Sequence, residues 1–306
     1  MNREIIAIIV TYNGSKWIDK CFGSLINSTI PIKILAIDNA SSDNTPNIIK
    51  DHFPQVEVIE TMKNLGFGKA NNIGLKRVLK ERADYAFLLN QDAWIEPDTI
   101  EKLISISETD NEYGIISPIH LNGYGDMLDY AFESYLGRYS TKTFYSDLYF
   151  NKVKPVYEAQ YANAAAWLIP RATIKKIGLF NPIFPHYGED TDYIARLKYH
   201  KLKIVISPIT RIYHDRIQHS NNTPLKNFKR IYIDDLNKLL NINSSLHFAL
   251  RRWLSDKLTI IFNKILKLHF KLSFLNLISM FKSILHIPHL ISIRKKSKME
   301  GAFIEV

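Results

Sequence analysis

Six side chains in this 306-residue sequence belong to types that hold hard metal ions or move protons: Asp38, Asp92, Glu189, Asp190, Asp192 and His214. A carboxylate with a distant histidine suits a divalent ion that grips a diphosphate, because Mg2+ commonly takes one or two carboxylates and completes its shell with phosphate oxygens. A second carboxylate facing such a site can act as general base. Spacing alone leaves a plainer alternative open. Asp and Asn favour caps and turns, so Glu189 and Asp190 equally suit the start of a helix near Thr191, and Asp38 suits a turn.

The elements that must position these groups alternate along the chain. Ile5–Val10 is a continuous apolar, β-branched run that stops at Thr11-Tyr12-Asn13-Gly14, which reads as a buried strand followed by a loop. Strands are predicted again at Ile32–Ile37, Val56–Glu60, Tyr85–Leu89 and Lys203–Ile206. Helices are predicted at Lys16–Asn27, Asn44–His52, Ala70–Lys80, Pro97–Ser107, Arg171–Ile177 and Tyr193–Tyr199. This alternation implies an α/β protein with a mostly parallel central sheet flanked by helices. Such sheets bind ligands at the carboxyl ends of their strands. Three strand ends carry polar clusters, Thr11-Tyr12-Asn13, Asp38-Asn39 and Asn90-Gln91-Asp92, and parallel strands would bring them to one crevice. Neither a dinucleotide fingerprint nor a P-loop follows the first strand. Residues 119–160 are irregular and rich in Tyr and Phe.

Charge divides the chain. Residues 1–220 hold 25 Lys/Arg and 25 Asp/Glu, whereas residues 221–306 hold 15 Lys/Arg and 5 Asp/Glu, so the whole net charge of +10 lies in the last segment. A neutral body with a basic appendage points to an anionic surface. The longest run without charge, 113–125, falls short of the roughly 20 residues of a membrane-spanning helix. The N-terminal MNREIIAIIV does not read as a signal peptide. The single Cys21 excludes an internal disulfide and a Cys-rich zinc site. A cytoplasmic protein is expected.

Set in order, the motifs carry a resemblance. They are Ile9-Val10-Thr11-Tyr12-Asn13, Ile37-Asp38-Asn39-Ala40-Ser41-Ser42-Asp43, Asn64-Leu65-Gly66-Phe67-Gly68-Lys69-Ala70-Asn71-Asn72-Ile73-Gly74, Leu88-Leu89-Asn90-Gln91-Asp92, Ile177-Gly178-Leu179-Phe180 and Gly188-Glu189-Asp190-Thr191-Asp192-Tyr193, closed by His214. From Ile5 to Asp215 the chain resembles the family 2 glycosyltransferases of GT-A fold, and among them the rhamnosyltransferase-like bacterial enzymes of surface-polysaccharide synthesis. The resemblance implies an inverting, metal-dependent transfer of one sugar from a UDP- or dTDP-linked donor to a saccharide acceptor, lipid-linked in the leading reading. It also implies residue roles. Thr11, Tyr12, Asn13, Asp38, Asn64, Gly66, Asn71 and Asp92 would bind the nucleotide sugar. Asp92 and His214 would hold Mn2+ or Mg2+, and Asp190 would be the general base. Glu189, Tyr187 and Asp192 would be candidate acceptor contacts. One departure stands out: Asn90 replaces the first acid of the family's Asp-x-Asp motif, which leaves the metal site one negative charge short. Trp167 reads as core packing in preference to sugar stacking. The alternatives are a nucleotidyltransferase, whose basic Gly-rich loop should follow the first strand and does not, and a non-catalytic carbohydrate-binding protein on a degenerate fold.

The domain division expected is a catalytic domain, 1–215, and a basic helical region, 216–306. Between Lys257 and Ile287 the chain is rich in Leu, Ile and Phe, interrupted by Lys257, Lys264, Lys267, Lys271 and Lys282. On one continuous helix at about 100° per residue these lysines form a single narrow stripe. A basic stripe on an apolar helix signals interfacial membrane binding, here to the anionic inner face of a membrane. A helix pair packed on the body with its lysines in water is the competing reading. No helix-turn-helix, RNA-binding aromatic platform or zinc module supports a nucleic-acid partner.

Overall fold

Alternate side chains of a strand point to opposite faces, and here they sort into two cores. In β1 (Ile5–Thr11) Ile6 and Ile8 enter one core, while Ile5, Ala7 and Ile9 enter the other. This is why the strand is apolar without interruption: helices cover both faces. The computed structural model describes residues 3–137, 140–216 and 223–305. After β1 come α1 (Ile18–Ile26), β2 (Lys33–Asp38), α2 (Thr45–His52), β3 (Glu57–Glu60), α3 (Phe67–Glu81) and β4 (Tyr85–Asn90), in the alternation expected. Then follow β5 (Ala93–Ile95), α4 (Thr99–Ser107), β6 (Tyr113–Asn122), α5 (Tyr130–Glu133), α6 (Phe144–Tyr149), β7 (Tyr157–Ala159), β8 (Ala166–Pro170), α7 (Arg171–Ile177), α8 (Glu189–Tyr199) and β9 (Lys203–His214).

The sheet order is β3-β2-β1-β4-β8-β6-β9-β5, with β7 also on β9. The β3, β2, β1 and β4 strands are parallel. Beyond β4 the directions mix: β8 is antiparallel to β4 and β6, β9 is parallel to β6, and β5 and β7 are antiparallel to β9. The α/β fold with a mostly parallel sheet is realised fully in the first half, whereas the second half is mixed, with β6 and β9 parallel to each other. There β5 and β7, three residues each, are too short to show a period. Buried residues of α3, α7 and α8 fill the core on one face, and those of α1, α2 and α4 fill the other. Trp167 lies in the first core beside Phe180 and Tyr193, as core packing requires.

Four helices complete the chain: α9 (Pro224–Leu240), α10 (Leu246–Leu266), α11 (Phe270–Leu285) and α12 (Ile287–Ser297). The expected boundary at 215/216 falls beside residues 217–222, which lie outside the described residues. Leu236, Leu239, Leu240, Trp253 and Leu290 form a third core with Phe184, which the body supplies. The buried Arg294 donates to the carbonyls of Leu239 at 2.8 Å and Asn241 at 2.5 Å, capping the end of α9. After α12 the chain returns to the body, where Leu179 N–H donates to the Ala302 carbonyl at 2.8 Å and Phe303 is buried in the first core.

The single helix expected over 257–287 is two helices. Leu268 takes φ 57° between α10 and α11, and no Gly or Pro announces the break. Lys257 also leaves the stripe. It is buried, 2.7 Å from Asp235 of α9, because a tertiary partner outweighs its place on the helical wheel.

Candidate active site

Three polar strand ends meet because their registers match. Thr11 pairs with Asp38 and Val10 with Asn90, so β1, β2 and β4 stop at one level. The buried Asp38 carboxylate gathers the surrounding loops. Its Oδ1 accepts from the Thr11 hydroxyl at 2.9 Å and the Ser41 hydroxyl at 2.6 Å, and its Oδ2 accepts from Ser41 N–H at 2.9 Å. Asn13, at φ 47°, accepts on Oδ1 from Ser42 N–H at 2.8 Å. Gln91 clamps the Tyr12 backbone from β4's end, accepting from its N–H at 2.8 Å and donating to its carbonyl at 3.1 Å. The Tyr12 ring stays 46% exposed, an aromatic surface beside the crevice.

The glycine-containing loop before α3 is latched to the same end. Asn39 donates to Asn64 Oδ1 at 3.0 Å and accepts from Leu65 N–H at 2.7 Å, and Asn64 Oδ1 also accepts from Gly66 N–H at 2.9 Å. Gly66 has φ 81°, and a Cβ there would lie 1.8 Å from the Pro185 carbonyl. Only glycine satisfies both demands. The loop thereby touches the segment that leads into α8, where the candidate base lies. Asn71 is buried and donates to the Phe67 carbonyl of its own helix at 3.0 Å. Its neighbour Asn72 exchanges two hydrogen bonds with the Phe180 backbone, at 2.9 and 2.8 Å, which fixes α3 to the chain after α7.

Pairing of Ala93 with His214 brings Asp92 and His214 together. Asp92 Oδ1 lies 3.3 Å from His214 Nε2, and the other ring nitrogen lies 3.5 Å from Asp129 Oδ2. Asp129 also accepts on Oδ1 from the N–H groups of Ala131 and Phe132, capping α5, and Arg216 lies 3.4 Å from its Oδ2. The Nδ1 of His214 is buried without a hydrogen bond, so the Asp129 carboxylate faces it as a charge and not as a bonded partner. Asp92 and His214 form a donor pair suited to Mn2+. Among the described residues no third His, Cys, Asp or Glu joins them, so the remaining positions on an ion would fall to phosphate oxygens and water.

Asp190, in the first turn of α8, is half-buried. Its Oδ2 accepts from the Tyr161 hydroxyl at 2.5 Å and its Oδ1 from Thr191 N–H at 2.8 Å. Burial lifts its pKa above the ordinary carboxylate value, against the lowering by Tyr161. A line of rings runs from there toward the histidine. Tyr161 packs on Tyr135 at 4.7 Å, Tyr135 on Phe132 at 6.0 Å, Phe132 on His120 at 4.2 Å, and His120 lies 6.3 Å from His214. Burial holds the His120 ring well below its usual pKa, and so neutral.

The three acceptor candidates part company. Tyr187 is exposed, at φ 69°. Glu189 is buried with Oε2 unpartnered, and burial pushes its pKa up to about 7. Asp192 departs from expectation: it is buried in an ion pair with Arg196 at 2.8 Å, and Arg196 further donates to the carbonyls of Ile177 and Leu179. That carboxylate holds α8 to the chain after α7 and is not free to meet an acceptor. Asn39, Gln91 and Asn72 join the site from within the motifs, and Asp129, Tyr135 and Tyr161 from in or beside an irregular stretch that carries no local signal for them. A cavity of about 630 Å3 lined by Arg3, Asp84, Tyr85 and Arg171 lies at the amino ends of the strands and contains none of these groups.

Solved structures of the GT-A glycosyltransferase class share this fold. Staphylococcus aureus TarS 1-349 in complex with UDP-GlcNAc aligns with TM-score 0.57 at 14% identity, over 80% of this chain and 69% of that one. GalNAc-T7 with UDP, GalNAc and Mn2+ aligns with TM-score 0.58 at 16% identity, over 76% and 48%. The chain belongs to glycosyl transferase family 2, whose model matches residues 6–164. Among its relatives, an N-acetylglucosaminyl-diphospho-decaprenol L-rhamnosyltransferase of Mycobacterium tuberculosis (strain CDC 1551 / Oshkosh) is 23% identical over 246 residues, 73% of this chain and 80% of that protein. Escherichia coli chondroitin synthase is 35% identical over 97 residues, which span 30% of this chain and 14% of that protein.

Proposed function

We propose that this glycosyltransferase is inverting and metal-dependent, and that it moves one sugar from a UDP- or dTDP-linked donor to a lipid-linked saccharide of a surface polysaccharide. The observation that carries the reading is the Asp190 carboxylate in the first turn of α8, bonded to the Tyr161 hydroxyl and joined by a line of rings to the Asp92–His214 pair. A carboxylate base near neutral pH gains strength from burial. Asp190 takes the proton of the acceptor hydroxyl while that oxygen bonds to the anomeric carbon. The bond from that carbon to the diphosphate breaks on the opposite face, so configuration inverts in one displacement. Asp92 and His214 would hold Mn2+ or Mg2+, which when bound offsets negative charge on the departing diphosphate. The Asp38 Oδ2, with one bond received, retains capacity for the imide N–H of uracil or thymine, and the Tyr12 ring offers a face for the base. The lipid-linked acceptor is drawn from the decaprenol-linked name of the mycobacterial relative.

The test is release of nucleoside diphosphate from a panel of UDP- and dTDP-sugars with Mn2+, with and without lipid-linked acceptors. Turnover is expected to require the ion and to fall by about 10³-fold in Asp190→Asn. Undiminished transfer by that variant, or retention of anomeric configuration in the product, would overturn the assignment.

A further inference from the structure

The α10–α11 hairpin is built inside out. The residues α11 buries are Ser273, Asn276, Ser279 and Ser283. Its exposed large residues include Phe270, Phe274 and Phe281, each more than 60% exposed, together with Ile278, Ile284 and Leu285. The α10 helix adds Leu254, Leu258, Phe262, Ile265 and Leu266, and the turn adds Leu268. Much of the interior is polar, and most of its polar groups are partnered, the Ser283 hydroxyl excepted. Asp235 of α9 accepts from Trp253 Nε1 at 2.9 Å and from the Ser279 hydroxyl, and it pairs with Lys257, whose ammonium also lies 3.3 Å from Asn276 Oδ1. The polarity that a water-soluble helix turns outward is spent holding these helices together.

Charge decides what covers the apolar outside. From Lys257 to Met299 the sequence holds nine Lys/Arg and no Asp or Glu; Lys257 and Arg294 are buried, and Asp256, just before this stretch, pairs with Lys238. Lys267 and Lys271 are exposed at the hairpin turn, and Lys295 and Lys298 on and just after α12. A two-fold interface sets a patch against its own copy, which here would face cations with cations, the one nearby acid of α10, Asp256, being already paired with Lys238. Nucleic acid would meet bare Phe and Leu side chains. A surface with an apolar interior beneath anionic head groups satisfies both features.

The geometry of the hairpin suits lying on such a surface in preference to crossing it. Among the described residues no single helix is long and apolar enough to span; the bent pair α11 and α12 meets the criterion by length and composition, with a 67° bend. Its second member is tied down, with Leu290 in the third core, Arg294 on the α9 carbonyls, and the following residues on Leu179. The inner side of the bundle reaches the candidate site: a Cβ on Gly188, whose φ is 89°, would lie within 3.0 Å of Ile233 and Asn237 of α9.

We infer that the exposed apolar face of α10 and α11, with the basic residues around it, is a docking surface for an acidic phospholipid bilayer, entered from one side by Phe262, Phe274 and Phe281. Its geometry is independent of the acceptor proposed above, so the two ideas fail separately. The experiment is cosedimentation of the full chain with vesicles of phosphatidylethanolamine and phosphatidylglycerol, against phosphatidylcholine alone. At least tenfold stronger binding to the acidic vesicles is expected. The triple variant Phe262→Ser, Phe274→Ser, Phe281→Ser should lose at least tenfold in binding while keeping its thermal midpoint and its donor hydrolysis. Asp190→Asn should pellet like the parent. A parent chain that stays in the supernatant, or a triple variant that pellets equally, overturns the inference. So does a concentration-dependent dimer that needs the same three phenylalanines.

Discussion

The β1 strand and the α11 helix are both rich in large apolar residues, and they bury opposite parts of themselves. In β1 Ile5, Ile6, Ala7, Ile8 and Ile9 are inside, and the polar Thr11 stands at the end, where it meets Asp38. In α11 the serines and an asparagine are inside, and the phenylalanines are out. Polar groups in the body are thus collected at strand ends, where chemistry can use them. Polar groups in the hairpin are turned inward, where Lys257 and Ser279 meet Asp235 of α9. Burial follows the partner a face is given, and hydropathy alone does not say which face that will be.

Changes of like kind in the two regions should therefore diverge. The largest effect is expected for the polar end of the body: Asp190→Asn should lower kcat/KM by about 10³-fold with little change in a urea unfolding curve. In the parent enzyme the acid limb of kcat/KM should lie above the ordinary aspartate range, since the base must be ionised and burial raises its pKa. A polar residue of the hairpin behaves the other way. Lys257→Ala leaves the buried Asp235 without its cation and should cost about 3–5 kcal/mol of stability, while donor hydrolysis per folded molecule holds. Equal losses in both assays for either variant would erase the contrast.

Smaller effects refine it. Ile8→Ala in the body core should cost about 2–5 kcal/mol in urea unfolding. Glu189 supplies a pH test. Its folded pKa of about 7 exceeds the unfolded value near 4.5, so its contribution to stability is full below pH 4.5 and is lost as pH rises through 7. Glu189→Gln should abolish that loss and raise unfolding free energy at pH 8 relative to pH 5 by about 2 kcal/mol compared with the parent. The smallest change is expected for Phe274→Ala, about 0.5 kcal/mol or less in the absence of vesicles; a cost like that of Ile8→Ala would place this ring in a core after all.

The parallel half of the sheet was legible because continuous β-branched runs ended at polar clusters. The registry that makes Thr11 face Asp38 follows from those runs. The second half was legible only at the start of β9, since β5 and β7 are three residues each and carry no period and β6 has a register shift at Pro118/Ile119. Motif order located Asp92, Asp190 and His214, but Asp129 and Tyr161 reach them only through folding across long separations. Asp192 shows the limit of motif reading. Its neighbour two positions away bears the proposed chemistry, and it is bound instead to Arg196 one helical turn on. The hairpin misled in a similar way: the helical wheel of Lys257 said nothing of Asp235, a residue of another helix.

Asp129 carries two duties on one carboxylate. One oxygen caps a four-residue helix in the Tyr-rich segment, and the other stands behind the ring of His214. Arg216 shares that second oxygen, so one carboxylate gathers a helix start, an imidazole and a guanidinium. A movement of the helix would therefore change the charge that the buried ring of His214 faces.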